Sequence, residues 1–146
     1  MELIKVEIEV SGQPRGKGRP RFTRNGHTYT DAKTKEYEKR IHAAAWQKMR
    51  ELKLKPVGKF CHLEVIAFME IPKSWSKVKQ LEAEFGAIKP ITKPDLDNII
   101  KAAKDGISGL DGIILDDKQV TSINAKKVYC HPERGPVLYI CVSWTE

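Results

Sequence analysis

Six of the chain's seven aspartates fall between residues 95 and 117, in a protein whose net charge is +7. The twelve glutamates, by contrast, are spread along the chain, as expected for like charges that repel one another. Short carboxylates supply the oxygen ligands that Mg²⁺ and Mn²⁺ prefer. The natural use of such cations in a basic protein is chemistry on phosphates. The window therefore predicts a divalent-metal site that acts on a phosphate-containing substrate.

Two aspartate pairs are the candidate ligands of that metal. Asp95 and Asp97 stand at the start of a predicted helix, where the first can cap and the second can occupy the first turn, so that both face one spot. Asp116 and Asp117 are expected to supply further oxygens after the chain turns back. Lys101 lies one turn beyond Asp97, and its ammonium is expected to steady a phosphate or the charge that grows on it.

A structural interpretation of the same residues stays open. Aspartate is common at helix caps and in turns for local reasons, so either pair taken alone is typical of a cap or a turn. The two pairs together, near a basic loop, favour the metal site. Asp105 is expected to end its helix in solvent, and Asp111 to form a turn with Gly112.

A basic loop precedes the first predicted helix. Residues 13–24 carry five cations without an acid. The candidate DNA-binding residues are Arg15, Lys17, Arg19, Arg21, Phe22, Arg24 and Lys93. Glycines let backbone N–H groups approach phosphates, arginines bind phosphates bidentately, and Phe22 can stack on bases. Lys33 and Lys35 extend the patch. A solvated, mobile charged face is the alternative, and the motif of a P-loop is absent.

Hydrophobic spacing predicts the elements that position these residues. Strands are expected at 4–10, 60–71, 120–129 and 137–144, the last two as a hairpin. A helix from Thr30–Asp31 should bury Tyr37, Ile41, Ala45, Met49 and Leu52. A short helix is expected over 76–85. The third, from Pro94 or Asp95 to Ser108–Gly109, should bury Leu96, Ile100, Ala103 and Ile107. This order predicts an α+β fold: one domain with a small mixed β-sheet and helices packed on one face.

Length and composition limit the protein's class. At 146 residues the chain is expected to form a single domain, 1–146. No apolar run approaches the ~20 residues that span a bilayer, so no membrane partner is expected. The three cysteines lack metal spacing and indicate reduced thiols in the cytoplasm. A pI near 9.3 favours nucleic acid as the partner.

Four segments in this order resemble the RusA family of Holliday-junction resolvases. They are Gly12-Gln13-Pro14, Lys17 to Phe22, the Asp95-Leu96-Asp97-Asn98-Ile99-Ile100-Lys101 motif, and Asp116-Asp117-Lys118-Gln119-Val120. The resemblance runs from Val10 to about Tyr129. It implies a Mg²⁺-dependent, homodimeric endonuclease of RusA-like α+β fold, with Mn²⁺ as a possible substitute, that resolves four-way DNA junctions by paired symmetric nicks.

The same resemblance implies roles for particular residues. Asp95, Asp97 and Asp117 become metal-binding catalytic residues, with Asp116 beside them, and Lys101 becomes an essential lysine. The stretch from Asp105 to Asp116 is slightly long for the family, so Asp116 and Asp117 could exchange roles. Recombination, repair and a prophage setting follow from the family alone.

Two rival functions remain. One is a structure-specific nuclease for flaps or other branched nucleic acid that shares the site but not the substrate. The other is a non-catalytic DNA-binding module whose acidic residues only cap and turn. Substitution of Asp97 by Asn separates them, because only a nuclease would lose cleavage and keep DNA binding.

Overall fold

The computed structural model describes residues 2–18 and 21–146. Within these residues it contains the strands β1 (Leu3–Ser11), β2 (Arg21–Phe22), β3 (Thr28–Tyr29), β4 (Cys61–Met69), β5 (Val120–Tyr129) and β6 (Val137–Thr145). It also contains the helices α1 (Ala32–Glu51), α2 (Lys77–Glu84) and α3 (Leu96–Ile107), and a short 3₁₀ helix, Asp117–Gln119. The predicted α+β class is confirmed, and each predicted long strand and helix is present within a few residues.

Four strands form the main sheet in the order β1-β6-β4-β5. Strand β5 is parallel to β4, whereas β6 is antiparallel to both β1 and β4. The predicted hairpin of β5 with β6 is therefore wrong, because β4 lies between them. A parallel pair needs a crossover, which the segment containing α2 and α3 provides. The predicted mixed sheet is thus confirmed with a different strand order.

Helices α1 and α3 pack on one face of this sheet. Alternate residues of β1, β4 and β6 point to them, such as Val6, Leu63 and Ile140, each fully buried. The stripe predicted for α1 is correct at Tyr37, Ile41, Ala45 and Met49, but Leu52 is exposed at the helix C-cap.

The buried face of α3 is rotated from the predicted one. Its buried residues are Ile99, Ala102, Ala103, Gly106 and Ile107, whereas Leu96 and Ile100 are only half-buried. Gly106 explains the rotation, since a Cβ there would lie 2.5 Å from Cγ2 of Ile41. The missing side chain allows α1 and α3 to approach closely along this face.

Helix α3 runs antiparallel to β5, and this direction decides where the aspartates lie. Lys127, late in β5, donates from Nζ to the carbonyls of Thr92 (2.7 Å) and Pro94 (2.8 Å), just before α3 begins. After α3, Ser108 forms a bridge with Ile114, shortly before β5 starts. The start of α3 is therefore near the end of β5, and the end of α3 is near its start.

The remaining features concern thiols and the membrane. Cys61, Cys130 and Cys141 are free, as predicted; all three are also buried, and burial raises the pKa of each thiol. Over residues 2–18 and 21–146, no helix is both long and apolar enough to cross a bilayer.

Candidate active site

Asp95 occupies the N-cap position of α3 but does not cap the helix through its side chain. Its backbone is extended, and its carboxylate makes no cap hydrogen bond. The cap aspartate of α1, Asp31, behaves differently and accepts from the Thr34 amide at 2.8 Å. Because the Asp95 carboxylate is exposed and uncommitted, it is free to bind a ligand. Asp95 therefore caps α3 through its backbone carbonyl, which accepts from the Ile99 amide at 3.1 Å, and not through its side chain.

Asp97 and Lys101 continue from Asp95 along α3. Asp97 lies in the first turn and is exposed, and Lys101 is exposed one turn later. Residues four apart on a helix are neighbours, so the ammonium of Lys101 lies on the same side as the Asp97 carboxylate. Among the described residues, Lys101 forms no ion pair that would hold it elsewhere.

The two late aspartates, Asp116 and Asp117, differ in their structural role. Asp116 caps the 3₁₀ helix, because its Oδ1 accepts from the Lys118 amide at 3.0 Å. This backbone hydrogen bond is the main cause of a lowered pKa at Asp116. Asp117 follows as the first residue of the 3₁₀ helix and is partly exposed. The capping interpretation therefore fits Asp116 and leaves Asp117 as the better ligand.

Gln119 holds this turn in place. Its side-chain oxygen accepts from the Asp116 amide at 2.8 Å, completing a capping box. Its side-chain nitrogen donates to the carbonyls of Val57 (2.6 Å) and Lys59 (2.8 Å). Gln119 thus ties the late aspartates to the segment before β4, which gives a physical reason for a glutamine at this place in the motif.

A single chain does not bring the two aspartate pairs together. Asp116 and Asp117 line a shallow cavity of about 260 Å³ with Asp105 and Ser108, at the C-terminal end of α3. Asp95 stands at the other end of this twelve-residue helix, roughly 18 Å away along its axis. Over residues 2–18 and 21–146, no three His, Cys, Asp or Glu side chains are grouped closely enough to hold a metal. The expectation that the late pair joins Asp95 and Asp97 after the turn is not met within one chain.

The basic loop lies directly on the start of α3. A Cβ at Gly16 would lie 2.8 Å from Cβ of Asn98 and 3.0 Å from Cβ of Pro94, so glycine is what fits there. The Lys17 amide donates to the Asn98 carbonyl at 3.0 Å, and Gly18 donates to Thr34 Oγ1 at 3.0 Å. Residues 14–18 are therefore seated between α3 and α1 rather than forming a solvated, mobile face.

Lys17 is held by two carboxylates. Its Nζ lies 2.5 Å from Asp105 Oδ2 and 3.2 Å from Glu38 Oε1. Burial alone would lower the pKa of Lys17, but its hydrogen bonds to Asp105 and Glu38 outweigh that and raise the pKa. Asp105 was expected to end α3 in solvent, and this is wrong, because it anchors the basic loop. The role of Glu38 had no signal in the sequence.

A cleft joins the seated loop to the early aspartates. It has a volume of about 770 Å³ and is lined by residues 13–18, Lys93, Pro94, Asp95 and Asn98. Arg15 and Lys93 are exposed cations beside the free Asp95 carboxylate. Lys127 donates to the carbonyls that precede Asp95. The cleft can therefore accept an anion next to a cation bound by carboxylates.

The other predicted DNA-binding residues lie in a small hairpin. Arg21 and Phe22 form β2, which pairs with β3, and Arg24 is exposed in the turn. Phe22 is 74% exposed. Arg19 lies outside the described residues. The hairpin thus presents an aromatic ring between two cations, as a nucleic-acid surface does.

Exposed carboxylates beside a basic cleft and a basic hairpin are features that a DNA-processing enzyme would have. The family profile described as endodeoxyribonuclease RusA matches residues 11–138. The protein YqaN of Bacillus subtilis (strain 168), which is uncharacterised, is 35% identical over 144 residues, 94% of this chain and 97% of that protein.

The chain belongs to the RusA endodeoxyribonuclease family. The resemblance noted in the motifs is thereby confirmed, and membership implies a nuclease that acts on branched DNA. The roles assigned to individual residues stay predictions.

Proposed function

We propose that this protein is a Mg²⁺-dependent Holliday-junction resolvase that cuts four-way DNA by paired symmetric nicks. The observation that carries the proposal is the free carboxylate of Asp95, placed beside Asp97 at the edge of a cation-lined cleft. An N-cap aspartate whose side chain makes no cap hydrogen bond is available to bind a metal ion. Residues 1–146 would act as one endonuclease domain in the cytoplasm, where its DNA substrate lies.

The donor set fits Mg²⁺, with Mn²⁺ as a substitute. Both early carboxylates are exposed, and their oxygens are hard ligands. Mg²⁺ is commonly bound by one or two carboxylates together with water and substrate phosphate. Asp95 and Asp97 would hold it, joined by Asp117. When bound, the ion would activate water and stabilise the leaving oxygen of a phosphodiester.

The chain's own residues would position the DNA strand and balance its charge. Arg15 and Lys93 line the cleft, so they would hold the phosphate that is attacked. Lys101, one turn beyond Asp97, would donate to a phosphate oxygen as charge grows on it, a contact that strengthens in the transition state. Lys17 would act indirectly, because its ammonium already binds Asp105 and Glu38 and fixes the loop that carries Arg15.

A second copy of the chain would complete the site. Asp117 is at the far end of α3 from Asp97 within one chain, and no three candidate ligands meet among the described residues. A homodimer that places Asp117 of one copy against Asp95 and Asp97 of the other would supply the third carboxylate twice, by symmetry. Two such sites would also account for two symmetric cuts in one junction.

The rival functions differ from this proposal in substrate or in chemistry. A flap nuclease would use the same carboxylates and would differ only in the branched substrate that it cuts. A non-catalytic DNA-binding module would use Asp95 as a cap, and the unused carboxylate of Asp95 speaks against it.

The test is a gel assay of the purified protein with labelled DNA. The substrates are a four-way junction, a flap, a linear duplex and a single strand, each with and without Mg²⁺. Paired symmetric nicks in the junction, dependent on Mg²⁺ and absent in Asp97→Asn, are expected. Equal cutting of the flap would support the rival nuclease, and binding without any cutting would contradict catalysis.

A further inference from the structure

A second cationic cleft lies on the opposite side of Arg15 from Asp95. It has a volume of about 190 Å³ and is lined by Arg15, Lys33, Glu36, Tyr37 and Arg40. Arg15 and Lys33 also line the adjoining cleft at the start of α1, where Arg21 stands. Three cations therefore face one carboxylate in a small concave space, and that space is continuous with the basic hairpin.

We call this space the Tyr37 cleft, because the buried hydroxyl of Tyr37 belongs to its lining. Tyr37 is 2% exposed, and among the described residues its phenol oxygen has no well-aligned hydrogen-bond partner, although the Arg15 backbone lies close to it. Burial raises the pKa of Tyr37 to about 12, and the nearby backbone of Arg15 and the Arg40 charge offset part of that rise. The hydroxyl thus stays protonated at neutral pH as a donor. Buried hydroxyls nearly always have a well-aligned partner, and an anion in the cleft would supply an acceptor for the proton of this one.

Arg40 is already oriented at this cleft. Its guanidinium donates to the Ser11 carbonyl and lies 5.8 Å from the ring centroid of Tyr37. A guanidinium has five N–H donors, so further donors remain for an anion. Arg15 and Lys33 are exposed and long, so they can turn toward a ligand and open the hydroxyl to it.

Lys33 is misplaced for the stability of its own helix. It lies in the first turn of α1, where the helix dipole is positive, and that turn has no acidic residue. Acidic residues stabilise this position and cations oppose it. The N-cap carboxylate of Asp31 offsets part of this repulsion, and an anion bound by Lys33 would offset the rest. The dipole of α1 would favour the same anion.

We propose that the Tyr37 cleft binds a backbone phosphate of the DNA, away from the phosphate that is cut. Arg15, Lys33 and Arg40 supply charge, and Tyr37 donates one neutral hydrogen bond. Arg15 lines both this cleft and the cleft at Asp95, so one strand can run across the seated loop from one to the other. The inference rests on the proposed function only in taking DNA as the ligand.

Two substitutions test the site against a matched control. Lys33→Gln and Lys39→Gln each remove one exposed positive charge from α1, but only Lys33 lines the cleft. Binding of a labelled four-way junction is measured by fluorescence anisotropy in EDTA over a salt series. Lys33→Gln should weaken binding about fivefold and reduce the log–log salt slope by about one. Lys39→Gln should weaken binding less than about twofold, since its charge acts only at a distance.

Tyr37→Phe removes the hydroxyl without changing the shape of the ring. Because that hydroxyl has no well-aligned partner in the part of the chain that the structure describes, thermal stability should change little. Junction binding should nevertheless weaken about threefold, a combination that a purely structural tyrosine would not show. Glu36→Gln should tighten binding by about twofold, because it removes the one carboxylate in the cleft.

If the two lysine variants lose the same affinity for the junction, the proposal is overturned, because the loss would then come from long-range charge rather than from contact with a phosphate. Unchanged binding in Tyr37→Phe would also overturn it. Cleavage of the junction by the wild-type protein with Mg²⁺ is measured in parallel. If cleavage is present while the variants bind normally, the phosphate site fails and the resolvase proposal stands. If the wild-type protein neither binds nor cuts DNA, both fail.

Discussion

Removing the ammonium of Lys17 should destabilise the protein by about 2 kcal/mol. Lys17 Nζ contacts Asp105 and Glu38 at 2.5 and 3.2 Å, and the three side chains are 22%, 25% and 23% exposed. Fully exposed pairs contribute about 0.2–1 kcal/mol, whereas breaking a buried pair costs about 3–5 kcal/mol. Partial burial places this triad between those limits, and loss of Lys17 also leaves two carboxylates unpaired.

The measurement is urea and thermal unfolding of Lys17→Met. For a chain of this length, about 2 kcal/mol corresponds to a decrease in Tm of roughly 4–8 °C. Lys39→Met is the matched control, since Lys39 is exposed on α1 and forms no ion pair among the described residues. Equal effects of the two substitutions would refute the reasoning that the triad anchors the loop.

The dependence on pH has a definite sign. The pKa of Lys17 is raised above its usual 10.5, so its stabilising contribution is present below that value and is lost as pH rises through the folded-state pKa. The difference in unfolding free energy between wild type and Lys17→Met should therefore be constant from pH 7 to about 9. It should shrink above about pH 10.5, as measured by urea unfolding.

Three further predictions concern the elements that position the site. Gly16→Ala should lower both Tm and junction cleavage, because its Cβ would meet Asn98 at 2.8 Å, whereas Gly58→Ala, with 3.5 Å to its nearest neighbour, should be tolerated. Gln119→Leu removes hydrogen bonds to the carbonyls of Val57 and Lys59, of which Val57 keeps the Leu115 amide as a donor, and urea unfolding should show a loss of about 2 kcal/mol. Asp116→Ala should lower Tm at pH 7, but less at pH 3, because the lowered pKa of Asp116 makes its contribution vanish as pH falls below about 3.8.

The sequence predicted the elements well because their patterns are local. The alternation in β1 and the stripe of α1 depend on neighbours a few residues apart, and both were correct apart from Leu52. The pairing of β5 with β6 was wrong, because a short turn of His131 to Gly135 suggests a hairpin whatever lies between the strands. The central position of β6, between β1 and β4, is a long-range feature that a local turn does not reveal.

The site was predicted as a set of residues, not as an arrangement. The motif identified Asp95 and Asp97. Whether the side chain of an N-cap aspartate accepts a hydrogen bond from its own helix depends on geometry that the sequence does not contain. The role of Asp105 also escaped prediction, because its partner Lys17 is 88 residues away. The unpaired hydroxyl of Tyr37 is likewise visible only after folding, since a buried tyrosine in a helical stripe is expected as core.

The most direct test of the central claim is a complementation of two inactive variants. Asp97→Asn and Asp117→Asn are purified separately, shown to be folded, and mixed under conditions that exchange subunits. If each active site combines Asp97 of one copy with Asp117 of another, a heterodimer has one complete site of two. Neither variant should cut a four-way junction alone with Mg²⁺.

The mixture should regain nicking at about a quarter of the wild-type rate, because half of the dimers would be mixed and each would have one site. Its products should be single nicks rather than paired cuts. A mixture that stays inactive although subunits exchange and the wild-type protein cuts would contradict a site shared between two copies.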